Sequence, residues 1–578
     1  MILILRQIAG LLRLCITGPG GKLGIAFYVA ILTIEMVDIV VSLRLIAWNK
    51  DFYDALQQLN GTEALRQIGV FGLIVASMVV LSLSSTYLRK LLEMRWRRAL
   101  TAQVLDRWLG GKAYLRTGGT ADGGPLDNPD QRIAEDCRIF LAGPATGHGS
   151  GSGIIPMSLD LITRIVALVS YVALLWSLST FALDLSFIGI DAELPRYMVW
   201  AAFIYVALSS GLTHLLGRPL KQLYVAQQRR EADYRFALMR LRESRDAVAL
   251  SGGEPAERQE IDRRFSGIVA NWKRMIDREL ILSFFTVPYQ RTVLRIPTFL
   301  ALPAYFGGNV TFGGMMQLGS AFSNVVTTLS WVVFSYRSLA ELAAATTRLA
   351  RFVEALEAPP AGEGIVAERA PGAALHVRDL APATPAGRAL FLLPELKVQK
   401  GEALWLRGPS GLGKTTFMKA LAGVWKDGAG RIGMPGASAL FLPQQPYLPI
   451  GGVAAAVAYP LPADAFAPSA IESALVEAGF SLARLKEIGD EAVAGLSGGE
   501  RQRLALARVF LHAPEWVFLD EATSALDREA EMTLFARMRK ALPDSSFIVV
   551  AHREPAGFGH MRAVDLAANA PGLKPEAA

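Results

Sequence analysis

The chain has 578 residues, of which 52% are hydrophobic and only 19% charged, and its mean hydropathy is +0.32. Soluble domains carry about 25% charged residues, so this balance argues against an entirely soluble protein. The length and hydrophobic content exclude a disordered chain and a small disulfide-linked scaffold. The formal net charge of +7 raises the question of a nucleic-acid partner, which the distribution of the basic residues decides.

Residues 1–22 predict an amphipathic helix that lies on the membrane surface. The arginines of MILILRQIAGLLRLC stand among the apolar residues, whereas a cleaved secretory signal has its basic residues first, so no cleavage is expected. The cysteines Cys15 and Cys137 fit no metal spacing and no disulfide framework. We expect each of them to be a small buried hydrophobic residue.

Six apolar stretches before residue 340 are long enough, or nearly long enough, to cross a bilayer. A helix needs about 20 apolar residues for this. The first and fifth stretches contain charges, and the fifth also contains Pro288 and Pro297, so their ends are poorly defined. The predicted spans are Leu23–Trp48, Ile68–Tyr87, Ile154–Leu178, Tyr197–Leu216, Glu279–Tyr305 and Gly314–Ser335.

Basic residues concentrate after the second and fourth spans, whereas residues 178–196 carry acids and residues 306–312 carry no charge. The positive-inside rule therefore places both termini and both basic loops in the cytoplasm. The basic residues of these cytoplasmic loops account for most of the positive charge, so no nucleic-acid partner is expected. Arg229–Ser251 contains no Pro or Gly and predicts one continuous helix that extends the fourth span.

Three domains follow from this pattern. Residues 1–22 are the surface helix, and residues 23–355 are the transmembrane domain with its long cytoplasmic helices. Residues 356–373 are rich in Pro, Ala, Gly and Glu and predict a linker. Residues 374–578 remain as a soluble domain.

The soluble domain contains a phosphate-binding motif. A short apolar strand, Ala403–Leu406, runs into a GxxxxGK[ST] sequence and then a helical stretch, which is the context that a P-loop requires. Its backbone N–H groups and the helix N-terminus bind phosphates, and the lysine reaches the β- and γ-phosphates. The predicted nucleotide-binding residues here are Gly408, Pro409, Ser410, Gly411, Leu412, Gly413, Lys414, Thr415 and Thr416.

A second apolar strand, Trp516–Leu519, ends in two carboxylates. Asp520 is predicted to hold Mg²⁺ together with the hydroxyl of Thr415. Glu521 is predicted to act as the general base that polarises the attacking water. A strand that ends in acids is a weak signal alone, but it is a strong one downstream of a P-loop.

Between the two motifs lies Leu496-Ser-Gly-Gly-Glu-Arg-Gln502, followed by a helical run. A helix N-terminus after Ser-Gly-Gly offers N–H donors and a hydroxyl, so Ser497, Gly498 and Gly499 form a second predicted anion site. With LSGGERQR placed between the P-loop and the Asp-Glu strand, residues 375–567 resemble the ATP-binding cassette (ABC) ATPases.

The resemblance implies roles for three further residues. Gln444, in Phe-Leu-Pro-Gln, is similar to the glutamine that senses Mg²⁺ and couples the cassette to the membrane domain. Asp527, in Ser-Ala-Leu-Asp, is similar to the D-loop aspartate of the nucleotide site. His552 is similar to the switch histidine that contacts the γ-phosphate. The implied catalytic residues are Glu521, His552 and Gln444, and the implied Mg²⁺ site comprises Thr415, Gln444 and Asp520. One departure is that residues 380–387, where the family usually has an aromatic residue that stacks on adenine, contain none.

In this family the signature completes the site of a facing cassette. One cassette and six spans therefore resemble a half-transporter that works as a homodimer with two ATP molecules between its subunits. The implied fold is a six-helix exporter-type (type IV) transmembrane domain fused to an α/β P-loop nucleotide-binding domain. The implied cofactors are ATP and Mg²⁺.

The membrane half resembles the SbmA/BacA-like ABC transporters, which are relatives of the ABCD (peroxisomal fatty-acyl) subfamily. This resemblance implies a bacterial inner-membrane protein that contacts lipids and imports peptides or other bulky hydrophilic solutes, such as cobalamin or bleomycin-like glycopeptides. The motifs that carry it are residues 48–57 (WNKDFYDALQ), 95–97 (RWR), 128–133 (NPDQRI), 217–220 (GRPL), 231–235 (EADYR), 303–306 (PAYF) and 316–317 (MQ).

Charges inside the spans leave two interpretations open. These charges either line a water-filled cavity for hydrophilic cargo or pair structurally. They are Glu35 and Asp38 in the first span, with Arg44 further along, Asp160 and Arg164 in the third span, and Arg291 and Arg295 in the fifth. The alternatives to import are also open. They are an exporter of lipids, acyl-CoA or drugs, and a nucleotide-gated channel or regulatory membrane ATPase.

Overall fold

The computed structural model describes residues 2–116, 129–144, 152–184, 193–292, 295–357, 364–370, 372, 374–481 and 495–567. The chain forms two compact units, Met1–Ala358 and Pro359–Ala578. The first unit consists of helices and one short hairpin, and the second contains two sheets with helices packed on them.

Eleven helices in the described part of the first unit carry the membrane segments and their extensions. Four of them, α2, α3, α6 and α7, are long and apolar enough to cross a membrane. A 3₁₀ segment, Gly110–Arg116, follows α3; a π-helical turn, Arg132–Asp136, separates α4 from α5; and the strands β1 (Ala182–Asp184) and β2 (Glu193–Pro195) form an antiparallel hairpin. The helices are α1 (Ile2–Thr17), α2 (Gly21–Gln57), α3 (Gly61–Leu109), α4 (Pro129–Gln131), α5 (Cys137–Ala142), α6 (Ile154–Leu178), α7 (Tyr197–Glu243), α8 (Arg245–Ser251), α9 (Glu254–Thr292), α10 (Ile296–Phe306) and α11 (Phe312–Glu357).

The fifth predicted span is divided between two helices. Helix α9 ends at Thr292 and α10 begins at Ile296, with Pro297 in its first turn. Proline is favoured there because the N–H that it lacks has no partner within the helix. The sixth predicted span lies inside α11, which continues to Glu357.

Helix α7 extends the fourth predicted span as expected, since it continues for 47 residues to Glu243. The prediction of one helix through Ser251 is wrong, because Ser244 leaves the helical conformation (φ −102°, ψ 18°) before α8 begins. Residues 242–247 are exposed. Helical stability comes largely from packing, and these exposed residues have little of it. The helix therefore breaks at Ser244, since serine is a poor helix former.

The surface helix α1 packs against α3. Leu11 and Cys15 of α1 lie in one buried cluster with Leu92 and Trp96 of α3. Cys15 and Cys137 are both free thiols with no exposed surface, as predicted. Burial raises the pKa of Cys137 to about 12, so this thiol stays protonated at neutral pH.

The N-terminus of α11 is held by the C-terminal end of α2. Oδ1 of Asp54 accepts a hydrogen bond from the backbone N–H of Gly313 at 2.9 Å, and Oε1 of Gln57 accepts one from that of Phe312 at 3.1 Å. The first N–H groups of a helix have no partner within it, so these two side chains act as caps. This contact accounts for part of the WNKDFYDALQ motif.

The second unit is built on a five-stranded parallel sheet and a four-stranded sheet. The parallel sheet has the order β11-β6-β10-β9-β8, and the smaller sheet has the order β3-β7-β4-β5. Strand β3 lies within the predicted linker. The strands are β3 (Val366–Ala370), β4 (Leu375–Pro382), β5 (Leu393–Val398), β6 (Ala403–Arg407), β7 (Gly428–Pro435), β8 (Ala439–Leu442), β9 (Trp516–Asp520), β10 (Ser546–Val550) and β11 (Arg562–Asp565).

The helices of this unit cover a sheet whose central strands are buried along their whole length. Every residue of β9 and β10 is buried, which explains their continuous apolar sequences. The helices are α12 (Lys414–Leu421), α13 (Gly452–Ala458), α14 (Pro468–Glu477), α15 (Gly498–His512) and α16 (Arg528–Ala541).

Candidate functional site

The candidate nucleotide site lies at one edge of the parallel sheet. Strands β6, β8, β9 and β10 run in the same direction. Their carboxyl ends therefore meet at one edge, which is where ligands bind in open α/β sheets. The residues that follow these strands are the P-loop after β6, Gln444 after β8, Asp520 and Glu521 at the end of β9, and His552 after β10.

The P-loop has the backbone conformation that its glycines allow. Gly411 and Gly413 have φ values of +80° and +105°, which side-chain-bearing residues rarely adopt. Lys414 is 6% exposed, and its Nζ donates to the carbonyl oxygens of Gly408 and Pro409 at 2.8 and 3.2 Å. The ammonium group is thus held at the loop where phosphates would bind. The residues from Ser410 to Gly413 and Thr416 lie in the loop and first turn of α12, as the motif predicts.

The surroundings of Asp520 show whether the residues present fit a metal ion. Among the residues that the structure describes, its buried Oδ1 has no hydrogen-bond partner, and the hydroxyl of Thr415 hydrogen bonds to this carboxylate. Burial raises the pKa of Asp520, and the Thr415 hydrogen bond acts in the opposite direction. A buried carboxylate oxygen without a partner, beside a hydroxyl and the P-loop, fits the oxygen-rich site that Mg²⁺ requires.

Glu521 lies between the other two predicted catalytic side chains. Its Oε2 accepts a hydrogen bond from Nε2 of Gln444 at 2.9 Å, and its Oε1 lies 3.1 Å from Nε2 of His552. The backbone N–H of Glu521 also donates to the carbonyl of Val550 on β10 at 3.0 Å. The structure therefore brings Gln444, Glu521 and His552 together from three strands.

The signature forms the N-terminus of α15. Ser497 caps this helix, since its side chain accepts from the N–H of Glu500 and its own N–H donates to the Glu500 carboxylate. Ser497 and Gly498 are exposed, and no hydrogen bond joins either of them or Gly499 to the P-loop among the described residues. Asp527 caps α16 by accepting from the N–H of Ala530 at 2.7 Å. These capping hydrogen bonds fix the backbone at the signature and at Asp527, while Ser497, Gly498 and Asp527 stay exposed on the surface of one chain.

Two residues that the sequence analysis missed join α15 to its neighbours. Gln502 donates to Ser524 Oγ at 3.0 Å and accepts from the N–H of Ala525 at 2.9 Å, which ties the signature helix to the D-loop segment. The buried Arg508 donates to the carbonyls of Ala456 and Tyr447. Arg508 inside the apolar run Leu504–Leu511 was an available signal, whereas Gln502, between Arg501 and Arg503, gave none.

The segment before the P-loop that lacks an aromatic residue contains the end of β4 and a tight turn. The N–H of Thr384 donates to the carbonyl of Arg388 at 2.8 Å. The chain then returns to the P-loop, where Leu390 packs so closely that a Cβ on Gly413 would lie 2.8 Å from its Cδ1. An aliphatic side chain therefore covers this side of the loop.

The charges of the first and third spans are largely paired. Glu35 accepts hydrogen bonds from Ser85, Arg89 and Thr163, at 3.0, 2.7 and 2.6 Å. Asp160 has its ion-pair partner in Arg89, at 3.8 Å, and among the described residues not in Arg164. Glu35 and Asp160 are therefore paired within the protein. The sequence did not reveal that Arg89 of α3 is their shared partner.

The remaining charges are more open to solvent. Arg44 pairs with Asp51 at 3.6 Å, with about half of each side chain exposed. Asp38 is partly buried, and Arg291 and Arg295 are exposed beside the junction of α9 and α10.

Comparison with known proteins identifies both parts of the chain. Residues 11–303 match the family model "ABC transporter transmembrane region 2", and residues 394–524 match the model "ABC transporter". A relative from Escherichia coli K12, the inner membrane ABC transporter ATP-binding protein YddA, is 32% identical over 93% of this chain and 94% of its own length.

More distant relatives belong to the D group of ABC transporters. The chloroplastic ABC transporter D family member 2 of Arabidopsis thaliana is 25% identical over 87% of this chain and 78% of its own. The human ATP-binding cassette sub-family D member 3 is 23% identical over 83% of this chain and 76% of its own. A bacterial Atm1-family ABC exporter solved with ATP bound superposes with a TM-score of 0.70 at 18% identity, covering 91% of each chain.

These matches agree with the two-unit architecture and with the P-loop site. The fold is the type IV exporter arrangement, in which a helical membrane region is fused to a P-loop ATPase domain. This chain belongs to the ABC transporters related to the D group, and it is a membrane ATPase that binds ATP with Mg²⁺ and couples hydrolysis to transport.

Proposed function

We propose that two copies of this chain form the working transporter and bind two ATP molecules between their cassettes. The exposed Ser497 and Gly498, together with Asp527, would complete the P-loop site of the partner. A closed twofold dimer is also the commonest protein assembly. Both termini and both basic extensions would lie in the cytoplasm of a bacterial cell, with the helices in its inner membrane.

The observation that carries the proposed mechanism is the position of Glu521 between Gln444 and His552. Glu521 would take a proton from the attacking water, and His552 and Gln444 would orient that carboxylate. Asp520, Thr415 and Gln444 would hold Mg²⁺, which neutralises charge on the phosphates when bound. Lys414 would leave the carbonyls of Gly408 and Pro409 and bind the β- and γ-phosphates.

For the cargo we propose bulky hydrophilic solutes, such as peptides or cobalamin-like molecules, that move into the cell. The support is the similarity of seven motifs to the SbmA/BacA-like transporters and the presence of exposed or partly exposed charges, Asp38, Arg291 and Arg295, in predicted spans. Charges in spans usually face water or a partner, which suits a polar pathway. The D-group relatives favour a second candidate, the export of lipids or acyl-CoA.

The test uses full-length protein in proteoliposomes whose cassettes face the lumen, with ATP enclosed there, so that the lumen represents the cytoplasm. We expect ATP-dependent uptake of a labelled peptide or of cobalamin, and about a 10²–10⁴-fold loss of ATP hydrolysis in Glu521→Gln, because a positioned general base contributes that much. The Glu521→Gln chain should still bind ATP. Its uptake should fall with its hydrolysis.

The controls separate the candidates. A labelled acyl-CoA or phospholipid that moves out of the cytoplasmic side, with no uptake of polar solutes, would select the exporter. Passive flux that ATP opens and that Glu521→Gln preserves would select the channel. Glu529→Gln, an exposed acid on α16, is the matched control and should leave both activities unchanged.

A further inference from the structure

A groove of about 680 Å³ lies where α3 leaves the predicted second span. One wall is α3 from Lys90 to Thr101, and the other is formed by the π-helical turn, α5 and the residues that follow. Its lining includes Lys90, Glu93, Met94, Arg97, Arg98 and Arg138.

The groove has an excess of positive charge. Four of its side chains are basic and one is acidic, and that acid, Glu93, is already paired with Lys90 at 2.8 Å. Within the part of the chain that the structure describes, Arg97, Arg98 and Arg138 have no carboxylate within ion-pair distance. Arg97 and Arg98 are exposed. Three cations in one groove that no described carboxylate neutralises create a site for an anion.

The groove also has an apolar part. Met94 is 61% exposed, and Ile133, Leu141 and Ala142 line the same space. A small inorganic anion would leave this apolar surface in water. A molecule with an anionic head and an apolar body would use both parts.

The packing of α1 on α3 indicates the level of the groove relative to the membrane. The amphipathic helix α1, which has exposed Ile2, Leu3 and Leu5 together with Arg6 and Arg13, packs on the same turns of α3, and a Cβ on Gly18 would lie 2.9 Å from that of Ala99. Such helices lie at the level of lipid headgroups.

The side of the membrane follows from the C-terminal end of α3. Nε of Arg107 lies 2.8 Å from the carboxylate of Glu357, which is the last described residue of α11 before the ATPase unit. ATP is supplied on the cytoplasmic side, so the groove faces the headgroups of the cytoplasmic leaflet.

We propose that this groove binds the headgroup of an anionic phospholipid from the cytoplasmic leaflet, with Arg97, Arg98 and Arg138 on the phosphate and Met94 and Ile133 against the glycerol and upper acyl chain. Basic pockets beside membrane helices on this side are suited to such lipids. This lipid is not the proposed cargo, because it stays bound to the transporter and is not moved across the membrane.

The experiment measures lipid bound to the full-length protein. Protein in micelles of phosphatidylcholine is titrated with phosphatidylglycerol, and the bound lipid is counted by native mass spectrometry. We expect phosphatidylglycerol to bind in preference to phosphatidylcholine, and to weaken about fivefold for each of Arg97→Gln, Arg98→Gln and Arg138→Gln, since one surface cation contributes roughly that factor.

A charge-matched variant separates the groove from general attraction. Arg229→Gln, Arg240→Gln and Arg242→Gln together remove three exposed cations from α7, outside the groove. The groove variant for this comparison carries Arg97→Gln, Arg98→Gln and Arg138→Gln together. If both triple variants lost phosphatidylglycerol binding equally, the proposal would be overturned, because binding would then depend only on total charge. Unfolding temperatures of both variants confirm that they are folded.

A second arm distinguishes the lipid from free phosphate. Glycerol phosphate and inorganic phosphate, at concentrations that match the lipid, should fail to displace phosphatidylglycerol. The neutral substitution Met94→Gln should weaken lipid binding while leaving the charge of the groove unchanged. Displacement by either soluble phosphate at equal concentration would show that the acyl part contributes nothing and would overturn the lipid assignment.

Discussion

Glu521 has a backbone conformation that most residues avoid, with φ at +49°. A left-handed conformation costs a residue with a side chain about 1–2 kcal/mol. The hydrogen bond from its N–H to Val550 fixes this backbone to the adjacent strand and directs the carboxylate toward Gln444 and His552. Strain held by surrounding structure is typical of catalytic positions, and here it coincides with the residue that we propose as the base.

His512, at the C-terminus of α15, connects acidity to stability. Burial lowers its pKa below the ordinary 6.5, and the nearby Arg508 acts in the same direction, whereas a hydrogen bond to the carbonyl of Ala458 opposes them. The folded protein therefore favours the neutral imidazole, and the unfolded chain takes up the proton first as the pH falls.

We expect the unfolding temperature of the full chain to decrease as the pH falls from above 6.5 toward the folded pKa, and to decrease less in His512→Gln. The measurement is thermal unfolding of the two proteins across this pH range. The exposed His560 provides the control, since His560→Gln should leave the difference in place. An identical slope for wild type and His512→Gln would contradict the assignment.

At the scale of single residues, local sequence was sufficient wherever a motif determines its own geometry. The P-loop, the Asp-Glu pair and the helix-capping Ser497 lie where their motifs predict because the required backbone is encoded within a few residues. The partner of Glu35 was not predictable, since it depends on which turn of α3 faces α2.

Among the elements, α2 and α3 approach each other at a glycine. Trp96 is 6% exposed, and its Nε1 donates to the carbonyl of Gly21 at 3.2 Å. A Cβ on Gly24 would lie 2.0 Å from the same Nε1. On the side that faces α2, the ring therefore has little room to move.

Gly24→Ala is therefore expected to destabilise the membrane unit by about 1–3 kcal/mol, which is the usual cost of overpacking. Gly72→Ala is the matched control, because nothing lies within 4 Å of its Cβ position in α3. The readout is the unfolding temperature of each variant in the same detergent or lipid. Equal temperatures for the two alanine variants would show that the α2–α3 contact is looser than described.

Element boundaries were predictable only where the sequence contains a breaker or a cap. The divided fifth span has Pro297 at the start of α10, as its sequence suggested. The break at Ser244 was not predictable, because a serine interrupts a helix only where packing does not hold it, and residues 242–247 are exposed. A composition rich in Pro and Gly likewise failed to reveal strand β3, which pairs with the distant β7.

At the scale of the whole molecule, the proposed shared site can be tested with a dimer that combines two differently damaged chains. Lys414→Ala damages a P-loop, and Ser497→Arg damages a signature. If each site combines the P-loop of one chain with the signature of the other, a mixed dimer has both lesions in one site and an intact second site.

We expect either variant alone to hydrolyse almost no ATP and the co-expressed mixture, purified through tags on both chains, to regain clear hydrolysis. The control is Glu521→Gln mixed with Lys414→Ala, in which the P-loop and the base of each chain serve the same site, so both sites stay damaged. No recovery in the first mixture would mean that each chain completes its own site, and the shared-site proposal would be wrong.

Helix α11 connects the far ends of the membrane unit. Its 46 residues correspond to a rod of about 70 Å, since a helix rises 1.5 Å per residue. One end is held by Asp54 and Gln57, and the other ends at Glu357, the last described residue of the first unit. Pivoting by a single degree at the held end would displace the opposite end by roughly 1 Å. A small angular change would therefore displace the end at Glu357 far enough to break an ion pair there, such as that between Arg107 and Glu357.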